Sequence, residues 1–298
     1  MPFLQPGRPS SLGSVATERE VHLSDGRTLR AYDGGGVAAP DALTIVWHHG
    51  SPQTGALLAP LLSAAAARGI RLVSYGRPSY GGSSPHPGRD VASAAADVAQ
   101  VADALGIVRF AVMGASGGGP HALACAALRP DRVTGVVCLA SIAPFTDEFD
   151  WFAGMAADGG LRAAAAGRDA QARYAETDEF DPDSFVAADW AALSGDWASL
   201  GADAGRAGDA GPGGLIDDDV AFAAPWGFDL AAVIAPVLVV QGGRDRVVPP
   251  AHADWLTRHV RRSELWYRPD DGHVSILDEC PAAMDWLTAQ HVADQPRS

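Results

Sequence analysis

The sequence predicts an α/β protein, a mostly parallel central sheet flanked by helices and interrupted late in the chain by an inserted, predominantly helical segment. Three observations carry this. Short apolar runs rich in Val, Ile and Leu alternate with Ala/Leu-rich stretches of helical length, and that alternation means parallel strands covered on both faces. The alternation stops after Ser141 and resumes at about Ala235. The interval is compositionally foreign: residues 144–227 hold 17 acidic and 4 basic side chains, net −13, within a chain of net charge −14.

Taken in order, residues 1–15 are rich in Pro, Gly and Ser and read as a loose arm. Residues 18–33 read as two strands joined at Asp25-Gly26, a hairpin signal. Strands are expected at 43–50, 70–76, 109–114 and 133–140, with helices leading to Arg68 and over 91–106 and 120–128. After the insertion come a strand at 235–243, a helix from about Pro250, a strand at 263–269 and a last helix to about His291. The chain of 298 residues therefore divides into a sheet domain, 1–143 with 228–298, and an inserted segment, 144–227.

Composition excludes several chemistries. All 22 basic residues are Arg, and the chain has neither Lys nor Asn. Schiff-base lysines, Walker-type phosphate lysines and asparagine oxyanion donors are therefore absent. The acidic balance argues against nucleic acid, which requires clustered basic residues. Cys125, Cys138 and Cys280 form no metal-ligand spacing and allow one bridge at most. No apolar run approaches the roughly 20 residues of a membrane span, and the N-terminus lacks the apolar region of a signal peptide. A soluble, cytoplasmic protein without membrane attachment is expected.

The most informative stretch is Gly114-Ala115-Ser116-Gly117-Gly118, a G-x-S-x-G placed between a predicted strand and a predicted helix. A serine at such a turn is held in a strained conformation, and the flanking glycines are needed because a Cβ there would collide with the neighbouring elements. The bare alternative is a glycine-rich turn or phosphate loop of a doubly wound fold. On this motif and its context the chain resembles the α/β-hydrolase superfamily, over nearly all its length except the insertion.

The resemblance implies a serine hydrolase with an inserted lid or cap at 144–227, and Ser116 as nucleophile. His48-His49-Gly50-Ser51-Pro52 resembles the family's H-G-x-P loop, which implies an oxyanion hole from the backbone N–H groups of Ser51 and Gly117. His49 is read either as bracing that loop or as touching substrate. Gly242-Gly243-Arg244-Asp245 through Pro249 matches the family's acid loop and implies Asp245, with Asp147 and Asp150 as rivals on another strand. Asp271-Gly272-His273 matches the family's histidine loop and implies His273 as base. His121 and His252 are weighed and set aside on position. One departure stands out: where many relatives carry Asp before Arg in the loop after the fourth strand, this chain has Gly76-Arg77, so a loop-stabilising contact is missing or replaced.

The expected function is hydrolysis of a small-molecule carboxylic ester or related acyl bond through an acyl enzyme, with no metal or organic cofactor, by a monomer or homodimer. Trp151, Trp190 and Trp226 are candidates for the substrate pocket, against the alternative that they pack the insertion. Glu176, Asp178, Glu179, Asp181 and Asp183 suggest a cationic substrate, as in proline iminopeptidase-like aminopeptidases. A non-catalytic ligand-binding protein of the same fold is the third reading.

Overall fold

In this computed structural model, which describes residues 16–36 and 42–294, eight strands form one sheet in the order β1-β2-β4-β3-β5-β6-β7-β8. They are β1 (Thr17–His22), β2 (Thr28–Asp33), β3 (Thr44–His48), β4 (Arg71–Tyr75), β5 (Phe110–Ala115), β6 (Val133–Leu139), β7 (Val237–Gly242) and β8 (Ser263–Arg268). The first two form the expected antiparallel hairpin, β2 runs antiparallel to β4, and all remaining pairs are parallel. The predicted loose arm, residues 1–15, lies outside the described residues.

β5, β6 and β7 are buried along their whole length, which is why their sequences are continuous apolar runs rather than alternating ones. One face is covered by α2 (Ser93–Ala104), α3 (Gly118–Leu128) and α9 (Pro250–His259), through Val98, Val101, Leu123 and Leu256. The other is covered by α1 (Ala59–Ala67) and α10 (Cys280–Asp294), through Leu61, Met284 and Leu287. The sheet order reverses direction between β3 and β5. Ligands of open parallel sheets bind outside the carboxyl ends at such a switch point, and the loops leaving β3 and β5 are those carrying Ser51 and Ser116. All three cysteines are free and buried, so the possible bridge is not formed. No helix of the described residues is long and apolar enough to cross a membrane.

Between β6 and β7 the chain builds α4 (Gly159–Ala165), α5 (Arg168–Ala175), α6 (Ala187–Ser194), α7 (Ala198–Asp209) and α8 (Gly213–Phe222). α4, α5 and α8 pack together, and α6 packs on α7 and on the turn Ser275–Glu279. These helices are tied to the sheet domain by three fully buried aspartates rather than by apolar contact alone. Asp189 of α6 accepts from the backbone N–H of Val274 (2.7 Å) and Ser275 (2.8 Å), and from Ser275 Oγ (3.0 Å). Asp203 of α7 accepts from Thr54 N–H (3.0 Å) and Oγ1 (2.6 Å).

The third, Asp218 of α8, takes the missing contact's place. A β-carbon on Gly76 would lie 2.7 Å from the carbonyl oxygens of both Thr54 and Tyr80, so no carboxylate fits where relatives carry one. Arg77 instead donates to Asp218 Oδ2 from Nη2 (2.7 Å), Arg89 Nη2 donates to Oδ1 (2.8 Å), and Tyr80 Oη donates to Oδ2 (3.0 Å). Burial opposes ionisation of Asp218, but Arg77 and Arg89 outweigh it and hold the carboxyl far below the usual carboxylate range. Removing one member of such a buried cluster leaves uncompensated charge and costs about 3–5 kcal/mol. Asp218→Ala is therefore expected to lose about that much stability in urea unfolding, whereas Glu179→Gln, at an exposed carboxylate of the same insertion, changes it by less than about 0.5 kcal/mol.

Candidate active site

Ser116 lies between β5 and α3 with φ +52°, a left-handed conformation that costs a residue with a β-carbon roughly 1–3 kcal/mol. The geometry is over-determined by its neighbours. Ser116 N–H donates to Leu139 O (2.8 Å) and Gly119 N–H to Ser116 O (3.0 Å). A β-carbon on Gly114 would sit 2.4 Å from Gly118 O, and one on Gly118 2.1 Å from His48 O. Strand and helix can therefore meet at this turn only with both glycines.

The loop after β3 is held from beneath by His49, fully buried. Its Nδ1–H donates to Gly50 O (2.7 Å), and its Nε2 accepts from Arg77 N–H (3.1 Å), which fixes the tautomer. Arg77 also donates from Nη1 to His49 O and from Nη2 to Ser51 Oγ (2.9 Å). Ser51 Oγ in turn donates to Asp218 Oδ2 (2.5 Å). Among the described residues neither Ser51 N–H nor Gly117 N–H has a protein acceptor, and a β-carbon on Gly117 would stand 2.6 Å from Ser51 Oγ, so the two residues lie side by side.

Asp245 is buried in the turn after β7. Its Oδ1 accepts from Val247 N–H (2.9 Å) and Val248 N–H (2.8 Å), and its Oδ2 meets His273 Nδ1 at 2.8 Å. This pairing holds Nδ1 protonated and leaves Nε2 as the basic nitrogen. The rivals Asp147 and Asp150 are exposed and make no contact with His273 among the described residues. Arg244, beside the acid, pairs with Asp270 instead. Burial disfavours the imidazolium of His273, but the charge and hydrogen bond of Asp245 outweigh it, Asp189 adds to them, and the pKa rises above 6.5. His121 and His252 are used elsewhere: His121 Nδ1–H donates to Gly117 O (2.7 Å), and His252 joins Ala143 N–H to Trp151 O.

Ser116 and His273 share the wall of a cavity of about 410 Å³. Its other walls include Ser51 and Gln53 from the sheet domain, Phe180, Phe185, Leu193 and Leu200 from the insertion, and Val247, Val274 and Leu277. Among the described residues no carboxylate lines it. A larger open depression of about 710 Å³, over α1 and the start of α10, contains neither Ser116 nor His273. Ser116 Oγ and His273 Nε2 have no hydrogen-bond partner among the described residues.

The sequence-derived pocket residues are placed differently. Trp151 is buried in the core, with Nε1–H donated to Ala143 O (2.9 Å) and its ring edge-on to His252 and Phe152. Trp226 is buried against Phe228. Trp190 is 43% exposed and packs edge-on to Phe180 and Phe185. None of these three, nor His49, lines the cavity; Trp151 and Trp226 are buried in the core, Trp190 packs on the insertion's own Phe180 and Phe185, and His49 braces the loop. Sequence reasoning missed Phe180, Phe185, Gln53 and the three buried aspartates. The signal for Asp218 was the glycine at 76, which left Arg77 in need of a carboxylate from elsewhere.

The family described as alpha/beta hydrolase fold matches residues 44–279. Among curated protein sequences none matches. Among solved structures, a thermophilic esterase from Thermogutta terrifontis superposes with a TM-score of 0.69 at 22% identity, over 93% of this chain and 100% of that one. A bromoperoxidase from Bacillus anthracis gives 0.70 at 21% identity, over 93% and 100%. An enol-lactonase from Burkholderia xenovorans LB400 gives 0.67 at 19% identity, over 92% and 100%.

The His273–Asp245 pair has a measurable signature. A raised folded-state pKa means that this pair stabilises the protein below pH 6.5 and that its contribution is lost as pH rises through the folded value. NMR titration is expected to find His273 above 6.5, and to find it below 6.5 in Asp245→Asn, where burial is left nearly unopposed.

Proposed function

The chain belongs to the alpha/beta hydrolase fold family, and from that membership we propose that it is a serine hydrolase of uncharged small-molecule carboxylic esters. Ser116 is the nucleophile, His273 the general base and Asp245 the acid that orients it. The observation that carries this is the hydrogen-bonded His273–Asp245 pair opening into the same cavity as a serine in a left-handed turn. Residues 144–227 act as a cap over a core formed by 1–143 and 228–298.

In the proposed reaction His273 Nε2 takes the proton of Ser116 as Oγ attacks the ester carbonyl. The developing oxyanion is held by Ser51 N–H and Gly117 N–H, donors whose individual removal from such sites costs about 2.7–4 kcal/mol. The tetrahedral intermediate collapses, the alkoxide leaves with the proton from His273, and the acyl group remains on Ser116. Water, deprotonated by the same nitrogen, then releases the acid. Asp245 stays ionised and stabilises the imidazolium formed in each half-reaction. A serine at this position distinguishes the chain from dehalogenase-like and epoxide-hydrolase-like relatives, which use aspartate there.

The cavity walls favour a neutral substrate. An aminopeptidase needs a carboxylate to bind the substrate amine, and Glu176, Asp178, Glu179, Asp181 and Asp183 all lie off the cavity wall. A purely ligand-binding role leaves the strain at Ser116 and the polarised His273 without a use.

A fluorophosphonate probe is expected to label the protein but not Ser116→Ala, and the same variant is expected to lose at least about a thousandfold in kcat/KM on p-nitrophenyl esters. Labelling that survives in Ser116→Ala would overturn the assignment. Because His273 must be neutral to act as base, log kcat/KM is expected to rise with pH through a pKa above 6.5 and then level off.

A further inference from the structure

One cavity group has no part in the proposed chemistry. Gln53 lies in the cavity wall and is only 8% exposed. Among the described residues its Oε1 is enclosed without a partner. Other buried polar atoms lack partners, among them Trp47 Nε1, Tyr75 Oη and Gln171 Oε1, but none of these lines this cavity. An enclosed amide oxygen without a partner opposes folding, and an aliphatic side chain of the same size would suit walls made by Phe180, Phe185, Leu193 and Leu200 better.

The chain on either side of Gln53 is held firmly, and its amide stands close to the reacting serine. The next residue, Thr54, is fixed through both its N–H and its hydroxyl by Asp203, and Ser51, two residues earlier, is fixed by Arg77 and Asp218. The point where a β-carbon on Gly50 would stand is 3.5 Å from Gln53 Nε2 and 3.6 Å from Ser116 Cβ. Gly50 keeps that space open between the amide and the nucleophile.

Resting on the ester-hydrolase reading, we infer that Gln53 is a specificity-determining residue that hydrogen-bonds a hydroxyl of the substrate carried a few bonds from the scissile carbonyl. A hydroxyl both donates and accepts, so it satisfies the amide in either orientation. The substrate class is thereby narrowed to uncharged esters with an oxygen substituent near the reacting carbon. A site built around such a hydrogen bond rejects the analogue that lacks it, because the buried amide is then left unpaired.

The test uses ester pairs in which a hydroxyl replaces a methyl. On the acyl side these are p-nitrophenyl 3-hydroxybutanoate and 3-methylbutanoate. On the alcohol side they are 2-hydroxyethyl and propyl butanoate. The protein is expected to prefer the hydroxylated member of at least one pair by about tenfold or more in kcat/KM, and the preference is expected to fall to about one in Gln53→Met. Thermal unfolding separates this from a merely structural role: Gln53→Met is expected to leave the midpoint unchanged or raise it, whereas a structural amide would lower it. No preference in either pair, or a preference that survives Gln53→Met, overturns the inference. Should no ester be hydrolysed, the functional reading fails on its own. The inference is then decided by the dissociation constants of the same pairs on Ser116→Ala protein, with and without Gln53→Met: a hydroxyl preference lost with Gln53 supports it, and equal affinities overturn it.

Discussion

A single carboxylate, that of Asp218, holds the architecture around the site together. It is fully buried and accepts from Arg77, Arg89, Tyr80 and Ser51. Through Arg77 it reaches His49 and so the whole loop after β3; through its own position on α8 it docks the insertion. Two guanidinium groups this far from water are tolerable only if a carboxylate meets them. The insertion cannot leave without exposing that charge, and the loop after β3 cannot shift without breaking the same hydrogen bonds. Loop and insertion are thus one mechanical unit.

Asp189 and Asp203 extend the principle. Asp189 ties α6 to the residues immediately after His273, and Asp203 ties α7 to Thr54, beside the cavity-lining Gln53. Each inserted helix that approaches the site does so through a carboxylate bound to backbone N–H groups or to arginine. This changes the meaning of the insertion's charge. Part of the net −13 is spent inside the protein, and Asp217 is buried against Arg168 as well. Asp219 is pushed up to about 8 by burial and by the neighbouring Asp218. The acidic composition describes how the insertion is attached more than what it attracts.

The sheet domain was legible from sequence because its signals are local. Continuous apolar runs mark β5, β6 and β7, the Asp25-Gly26 turn marks the hairpin, and the glycines around Ser116 mark a turn too tight for β-carbons. Ser116, Asp245 and His273 are singled out in the sequence by the loop each occupies, and the last two stand 2.8 Å apart. The partners of Asp218 were not legible, since Arg77 and Arg89 lie 141 and 129 residues away in sequence and no periodicity relates them. The tryptophans misled for a related reason. An indole serves equally to line a cavity or to lock an insertion to a sheet, and only the packing of Trp151 on His252 and of Trp226 on Phe228 decides between these uses.

In the proposed reaction acyl groups pass through Ser116 under the control of His273 and Asp245. Its most direct test is rapid-quench mass spectrometry of the intact protein during turnover of p-nitrophenyl acetate, with peptide mapping of the adduct. One acetyl group is expected, on the peptide containing Ser116, formed in a burst and then decaying by hydrolysis. Ester hydrolysis that proceeds with no adduct, or with the adduct on another residue, would contradict it.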